Sequence, residues 1–152
     1  MLFLQNVVGM KHKGSISQAY RLRNSTVIPR LFSKAKKLAE YPTTTQKLFE
    51  IAANLPVDRF YISDDAALEY VRNRYYRGVI KKFRNPYKAK LFEAFYDTFR
   101  KMMEEERYRH ENISTVAILA LTRPAPCIGM APRKMHQRYL DYKNNHLKKS
   151  EK

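Results

Sequence analysis

The strongest hydrophobic pattern in the chain lies in "NPYKAKLFEAFYDTFRKMMEEER", residues 85 to 107. Phe92, Phe95, Phe99 and Met102 recur there at spacings of three, four and three, and Leu91, Tyr96 and Met103 widen the stripe. One apolar face opposite a charged one at helical period predicts an amphipathic helix over 87–107, the central strut of a core. Upstream, "RFYIS" at 59–63 alternates: Phe60 and Ile62 are two positions apart, which is strand spacing. Ser63, Asp64 and Asp65 then supply an N-cap oxygen and two carboxylates for the positive end of a helix over 64–77, with Gly78 as its natural stop. On that helix Leu68, Val71 and Tyr75 share a stripe and are expected to face the core.

The pattern recurs, without a gap, further along the chain. "KLFEIAANLP" at 47–56 aligns with "TVAILALTRP" at 115–124, and at the same offset Phe60 and Ile62 fall on Ile128 and Met130. Pro132 opens the later helix, where its missing N–H is harmless. Two units, 45–77 and 113–145, each reading helix, proline loop, apolar pair, helix, predict a pseudo-duplicated unit built around the central helix. The apolar pairs at 59–62 and 127–130 would be short strands pairing antiparallel. Ahead of the first unit, weak periodicity predicts an extended arm to about residue 28 and a short basic helix over 30–39, ended by "YPTTTQ". The fold class expected is therefore mainly α: a basic N-terminal arm with a short helix over 1–40, one helical domain over 41–147, and a basic tail over 148–152.

Charge sharpens this reading. The 152 residues carry a net charge of +16, with +8 in residues 1–39, +3 in 40–131 and +5 in 132–152. So small and basic a chain is drawn to polyanions, whether nucleic acid, an anionic membrane or an acidic protein. The acid-free opening stretch, 1–39, suits an arm lying on phosphates and equally an organelle transit peptide. "MLFLQNVVGM" is too short to span a bilayer and has no basic residues ahead of its apolar run, so neither a membrane span nor a secretory signal is expected. The lone cysteine, Cys127, forms no intrachain disulfide and suits a reducing compartment.

"ANLPVDRFYISDDAA", followed after the central helix by "RPAPCIGMAPRKM", resembles a family of small, uncharacterised basic proteins of gut bacteria and their tailed phages and mobile elements. The likeness covers residues 47 to 145. In that pattern an arginine-aromatic strand and an acid-capped helix precede a second "PAP" and aromatic strand. The resemblance implies a phage or mobile-element setting and no particular activity. The chain departs from it at Cys127, Gly129 and Met130, where aromatic residues are usual, so the second unit reads as the more structural one.

Enzyme signatures are faint. Glycines at 9, 14, 78 and 129 are too scattered to cradle a phosphate, and histidines at 12, 110, 136 and 146 lack metal-ligand spacing. Cys127 reads as a packed apolar residue, and His110 with Glu111 as a solvated helix end. The expectation is a non-enzyme with no cofactor and no metal.

What stands out is the basic-aromatic set. Arg72, Arg74 and Arg77 lie on helix 64–77, and Lys81 would continue the Arg74 and Arg77 row if the helix ran on past Gly78. With Lys82 and Arg84, and with Arg133, Lys134 and Arg138 of the second unit, these are the candidate nucleic-acid contacts, since arginine forks onto phosphates or guanine edges and tyrosine stacks on unpaired bases. The same residues would also serve as a solvated face. Helices 46–54 and 64–77 have the gross order of a helix-turn-helix, with a connection too long for the tight turn. The leading function is nucleic-acid binding, DNA preferred, in a phage or mobile element. A structural virion or head-to-tail component, as a homo-oligomer or beside other virion proteins, is the alternative, and a ribosome-associated protein a further one. The expected location is the bacterial cytoplasm or the virion.

Overall fold

The computed structural model describes residues 18–150, with side chains to residue 145. The first part of the expected arm, residues 1–17, and the end of the tail, 151–152, lie outside the described residues.

Among the described residues the fold has seven helical runs: α1 (Gln18–Leu22), α2 (Ile28–Leu38), α3 (Thr45–Ala53), α4 (Asp64–Arg77), α5 (Pro86–Glu104), α6 (Ile113–Ala120) and α7 (Pro132–Ser150). A π turn, Arg23–Val27, joins α1 to α2, and a 3-10 turn, Glu106–Tyr108, follows α5. The domain is all-α, as the periodicity predicts.

The largest departure from expectation is at the start. Residues 18–28 are helical, and the basic helix extends backward through the π turn to Gln18. Pro29 accounts for both the expected boundary and the observed geometry. It has no N–H to donate, and in a regular helix its ring would collide with the carbonyl one turn back. The π turn ends just before it, where the Ile28 N–H reaches back past the usual acceptor to the Arg23 carbonyl. What holds this segment is burial: Val27, Ile28, Leu31, Phe32 and Ala35 form one helical stripe in the core.

Two groups of three helices share a single core. In one, α2, α3 and α7 pack together; in the other, α6 packs on α4 and α5. Phe32 stacks on Phe49 at 4.7 Å, and His136 of α7 lies against the same Phe49 ring at 4.9 Å. In the other group Phe95 and Phe99 of α5 are fully buried, and the Phe60 ring meets Phe95 edge-on at 5.7 Å. The first helix of each sequence unit thus leans on the second helix of the other unit. Elements recur at the offset of the sequence alignment: Thr45 and Ile113 begin helices, and so do Asp64 and Pro132.

Between the groups run the two apolar segments. They do not form strands. The only β-bridge among the described residues is antiparallel, between Val57 and Ala125, which are also equivalent positions of the two units, with N–H···O distances of 2.9 and 3.0 Å. Expected pairing of 59–62 with 127–130 gives way to helix capping: the Phe60 N–H donates to the Leu121 carbonyl at the end of α6, one of the acceptors a helix terminus leaves open. Phe60, Ile62, Ile128 and Met130 are nonetheless buried. Gly129 has φ +82°, and a Cβ there would run into the Leu91 side chain of α5. That close approach leaves no room for the larger residue the resemblance would place here. Cys127 is fully buried, and burial pushes its thiol pKa up.

Boundaries elsewhere move by a few positions. The central helix begins at Pro86, capped by the Asn85 side chain accepting from the Tyr87 N–H at 2.9 Å, and ends at Glu104 rather than 107. Glu104, Glu105 and Glu106 meet the negative end of the helix dipole there, which disfavours continuation. Helix α4 starts on the Ser63 cap and stops at Gly78, φ +68°. It therefore never carries Lys81, and the row expected through Arg74, Arg77 and Lys81 does not form. Its buried face is Ala67, Tyr70 and Val71; Leu68 is half-buried and Tyr75 is exposed. Tyr70 displaces Tyr75 from that role because Phe92, Tyr96 and Phe83 gather round it, 5.0–6.3 Å away. Finally, α3 packs on α2 and α7 rather than on α4, so the helix-turn-helix layout is not realised.

Candidate nucleic-acid interface

The nine candidate cations separate into three kinds of environment. Arg74 is turned inward. Its Nη1 donates to Glu93 Oε1 at 2.8 Å and to the Tyr70 hydroxyl at 2.9 Å, and its guanidinium lies 4.2 Å from the Tyr96 ring centroid. Burial alone would lower its pKa, but the bonds to Glu93 and Tyr70 outweigh that and raise it. Arg74 has the contacts of a packing residue.

Arg72, Arg77, Lys81, Lys82 and Arg84 are exposed. Arg72 makes one long bond, 3.4 Å, to Ser114 Oγ of α6, and none of the five forms an ion pair among the described residues. They cover the end of α4 and the loop after it. Exposed Tyr75, Tyr76, Val79 and Ile80 lie among them.

Arg133, Lys134 and Arg138 belong to α7. The first two are exposed in its first turn, and Arg138 is half-buried. Arg138 Nη1 lies 3.7 Å from Asp141 Oδ2, while its Nε is buried with no hydrogen-bond partner. Lys134 and Arg138 line a hollow of about 610 Å³ together with Arg23 and Lys88. Arg23 comes from the π turn, where its Nε donates to Asn24 Oδ1 at 3.1 Å and its guanidinium sits 4.5 Å from the Tyr20 centroid. Burial lowers the Arg23 pKa, Tyr20 opposes this, and the charge of Arg138 adds to the lowering. The guanidinium stays charged at neutral pH all the same. On the hollow's wall Tyr61 donates to Asp58 Oδ1 at 2.7 Å, and burial with that bond pushes its pKa up to about 12.

A smaller cavity of about 70 Å³ adjoins this hollow and has Tyr20, Lys88 and Phe92 in common with it. Lys81, Val79 and Phe83 form its far side. Through Lys88 the loop cation Lys81 adjoins Lys134 and Arg138, whereas Arg72 and Arg77 line a separate hollow with the carboxylates Asp65 and Glu69.

Arg23, Lys88 and Tyr20 are not legible in the sequence as site residues. Reading residues 18–28 as extended hides Arg23, although the apolar series 27, 28, 31, 32, 35 already announces a helix that would set Arg23 one turn before Val27. Lys88 is one cation among several on a helix chosen for its apolar face, and nothing in its neighbours distinguishes it. No protein-family model, no curated protein and no solved structure matches the chain.

Proposed function

We propose that the chain is a non-enzymatic nucleic-acid-binding protein, with DNA the preferred partner, that holds phosphates along a track running from Lys81 through Lys88 to Lys134 and Arg138, with Arg72 and Arg77 in a neighbouring hollow. The observation that carries this reading is the shared wall of the two cavities, which places Lys81, Lys88, Lys134 and Arg138 on adjoining surfaces. Half-buried Phe83 lines it, with Lys81 and Lys88 each 5.5 Å from its ring centroid, and a ring beside phosphate-binding cations suits an unpaired strand. The displacement of α3 from α4 argues against groove reading. Phosphate contact needs no such geometry, since each neutralised phosphate releases counterions whatever the sequence. The bacterial phage or mobile-element setting is supported by the sequence resemblance, and a duplicated ancestral unit by the recurrence of helix starts and of the bridged pair at one offset. No helix among the described residues is long and apolar enough to cross a membrane.

Binding of unrelated single- and double-stranded oligonucleotides of equal length, measured by filter retention across a salt series, tests the reading. The expected result is similar affinity for all sequences and a steep linear fall of log K with log salt. Discrimination of one sequence by a hundredfold or more would replace phosphate tracking with base readout.

A second reading, a virion or head-to-tail assembly component, is favoured by one feature. Tyr76, Val79 and Ile80 are 68%, 55% and 51% exposed, side by side with the loop cations. Such a cluster suits a protein neighbour. Sedimentation would then give a ring or large assembly rather than a monomer or dimer.

A further inference from the structure

We infer that the hollow between α1, α4, α5 and α7 is a built site for a phosphate monoester, the terminal phosphate of a nucleotide or of a strand end. Four cations converge on it: Arg23 from the π turn, Lys88 from α5, and Lys134 and Arg138 from α7. Among the described residues Asp65 is the one carboxylate on its wall, and it has interactions of its own. Among the described residues no carboxylate lies within ion-pair distance of Arg23, Lys88 or Lys134. Arg23 and Arg138 are half-buried and Lys88 and Lys134 exposed at the hollow's rim; like charges so gathered repel one another, and an anion placed between them relieves that repulsion. Arg138 has only a long contact, 3.7 Å, from Nη1 to Asp141, so the accessible edge of its guanidinium is open to a stronger anionic partner.

Backbone polarity points the same way. Three helices begin at this hollow: Ser63, the N-cap of α4, and Asn85, the N-cap of α5, both line it, and Lys134 stands in the first turn of α7. The positive ends of α5 and α7 have no acid in their first turns, whereas Asp64 and Asp65 already meet that of α4. The residue before α7 is Ala131, which has no side-chain oxygen to cap the first-turn amides. A monoester is favoured over an internal diester because its second negative charge and third terminal oxygen match a concave site ringed by four cations, whereas a diester passes along the open track. At about 610 Å³ the hollow has the volume of a small-ligand site.

The inference does not rest on polynucleotide binding. The full chain is heated with inorganic phosphate, with a nucleoside monophosphate, with the matching nucleoside, and with chloride at equal ionic strength. Phosphate and the monophosphate should raise Tm and the other two should not; equal rises with chloride would overturn the site as mere screening. Oligonucleotides with a terminal phosphate are compared with hydroxyl-ended ones. A free-nucleotide ligand gives protection by the monophosphate without end discrimination, and a strand-end ligand gives roughly tenfold or greater preference for phosphorylated ends. Lys134→Gln, at an exposed position, and Arg138→Gln should each reduce the phosphate effect at least fivefold, and Arg100→Gln, remote from the hollow, should leave it unchanged. Loss of all oligonucleotide binding with monophosphate protection intact would remove the proposed function and retain this site. Wild-type protein indifferent to every monoester, or Lys134→Gln and Arg138→Gln without effect, would overturn it.

Discussion

Arg74 and Arg77 lie one turn apart on one helix, yet the structure gives them opposite predictions. Replacing Arg74 by Ala removes a hydrogen-bonded ion pair with Glu93, a bond to the Tyr70 hydroxyl and a stacked contact with Tyr96. Glu93 is 58% exposed on its side chain, so solvent screens that pair and its share is at most about 1 kcal/mol. The bond to Tyr70 and the contact with Tyr96 each contribute about 1 kcal/mol. Because all three act through one guanidinium they do not add fully, and a loss of about 2–3 kcal/mol is expected. For a domain of this size that lowers Tm by about 4–12 °C. Urea unfolding followed by circular dichroism gives the stability. In parallel, the slope of log K against log salt should stay unchanged for Arg74→Ala, corrected for folded fraction, and flatten by roughly one unit for Arg77→Ala. An Arg74→Ala protein within about 0.5 kcal/mol of wild type, with a flattened salt slope, would refute the separation of packing from binding arginines.

Three further outcomes follow from the packing. Phe95→Ala, at a fully buried ring in the central helix, should cost about 3–5 kcal/mol in urea unfolding, and a loss under about 1 kcal/mol would show that the stripe is not core. Gly129→Ala combines a left-handed backbone with a collision against Leu91 and should lose more than about 2 kcal/mol, whereas Gly78→Ala, with open space around it, should lose about 1 kcal/mol; equal losses would refute the close-approach argument. Tyr61 has a pKa pushed up to about 12 against an ordinary 10.0, so the unfolded chain releases this proton first: its contribution is complete below pH 10, falls as pH rises towards 12, and should vanish from the pH profile in Tyr61→Phe.

The elements that the sequence made legible are those whose local and tertiary signals agree. Helix α4 has a serine cap, two acids in its first turn and a glycine stop, and it begins and ends where those residues say. The interior of α5 follows from its aromatic stripe. Where one residue carries conflicting meanings, reading fails. Pro29 is normally a boundary, and only the π turn before it lets the helix continue. The apolar pairs at 60–62 and 128–130 have strand periodicity, but periodicity records burial on alternate sides and says nothing of where the backbone groups bond. Here the Phe60 N–H bonds to a helix end, and pairing shrinks to Val57 with Ala125.

The same distinction governs the site. Cation counts along a sequence do not reveal which side chains already have partners, and that is decided by residues distant in the chain: Glu93 and Tyr96 claim Arg74 from a different helix, α5. Arg138 shows the converse, since its neighbour Asp141 is visible in the sequence while the unsatisfied Nε is not. A cation with a carboxylate, a hydroxyl and a ring around it has little left to offer a phosphate, and one that is half-buried beside other cations has its strongest available partner still to come. On that criterion the α7 end of the track, with Arg23 and Lys88 facing it, should dominate affinity, and the exposed arginines at the end of α4 should set mainly its dependence on salt.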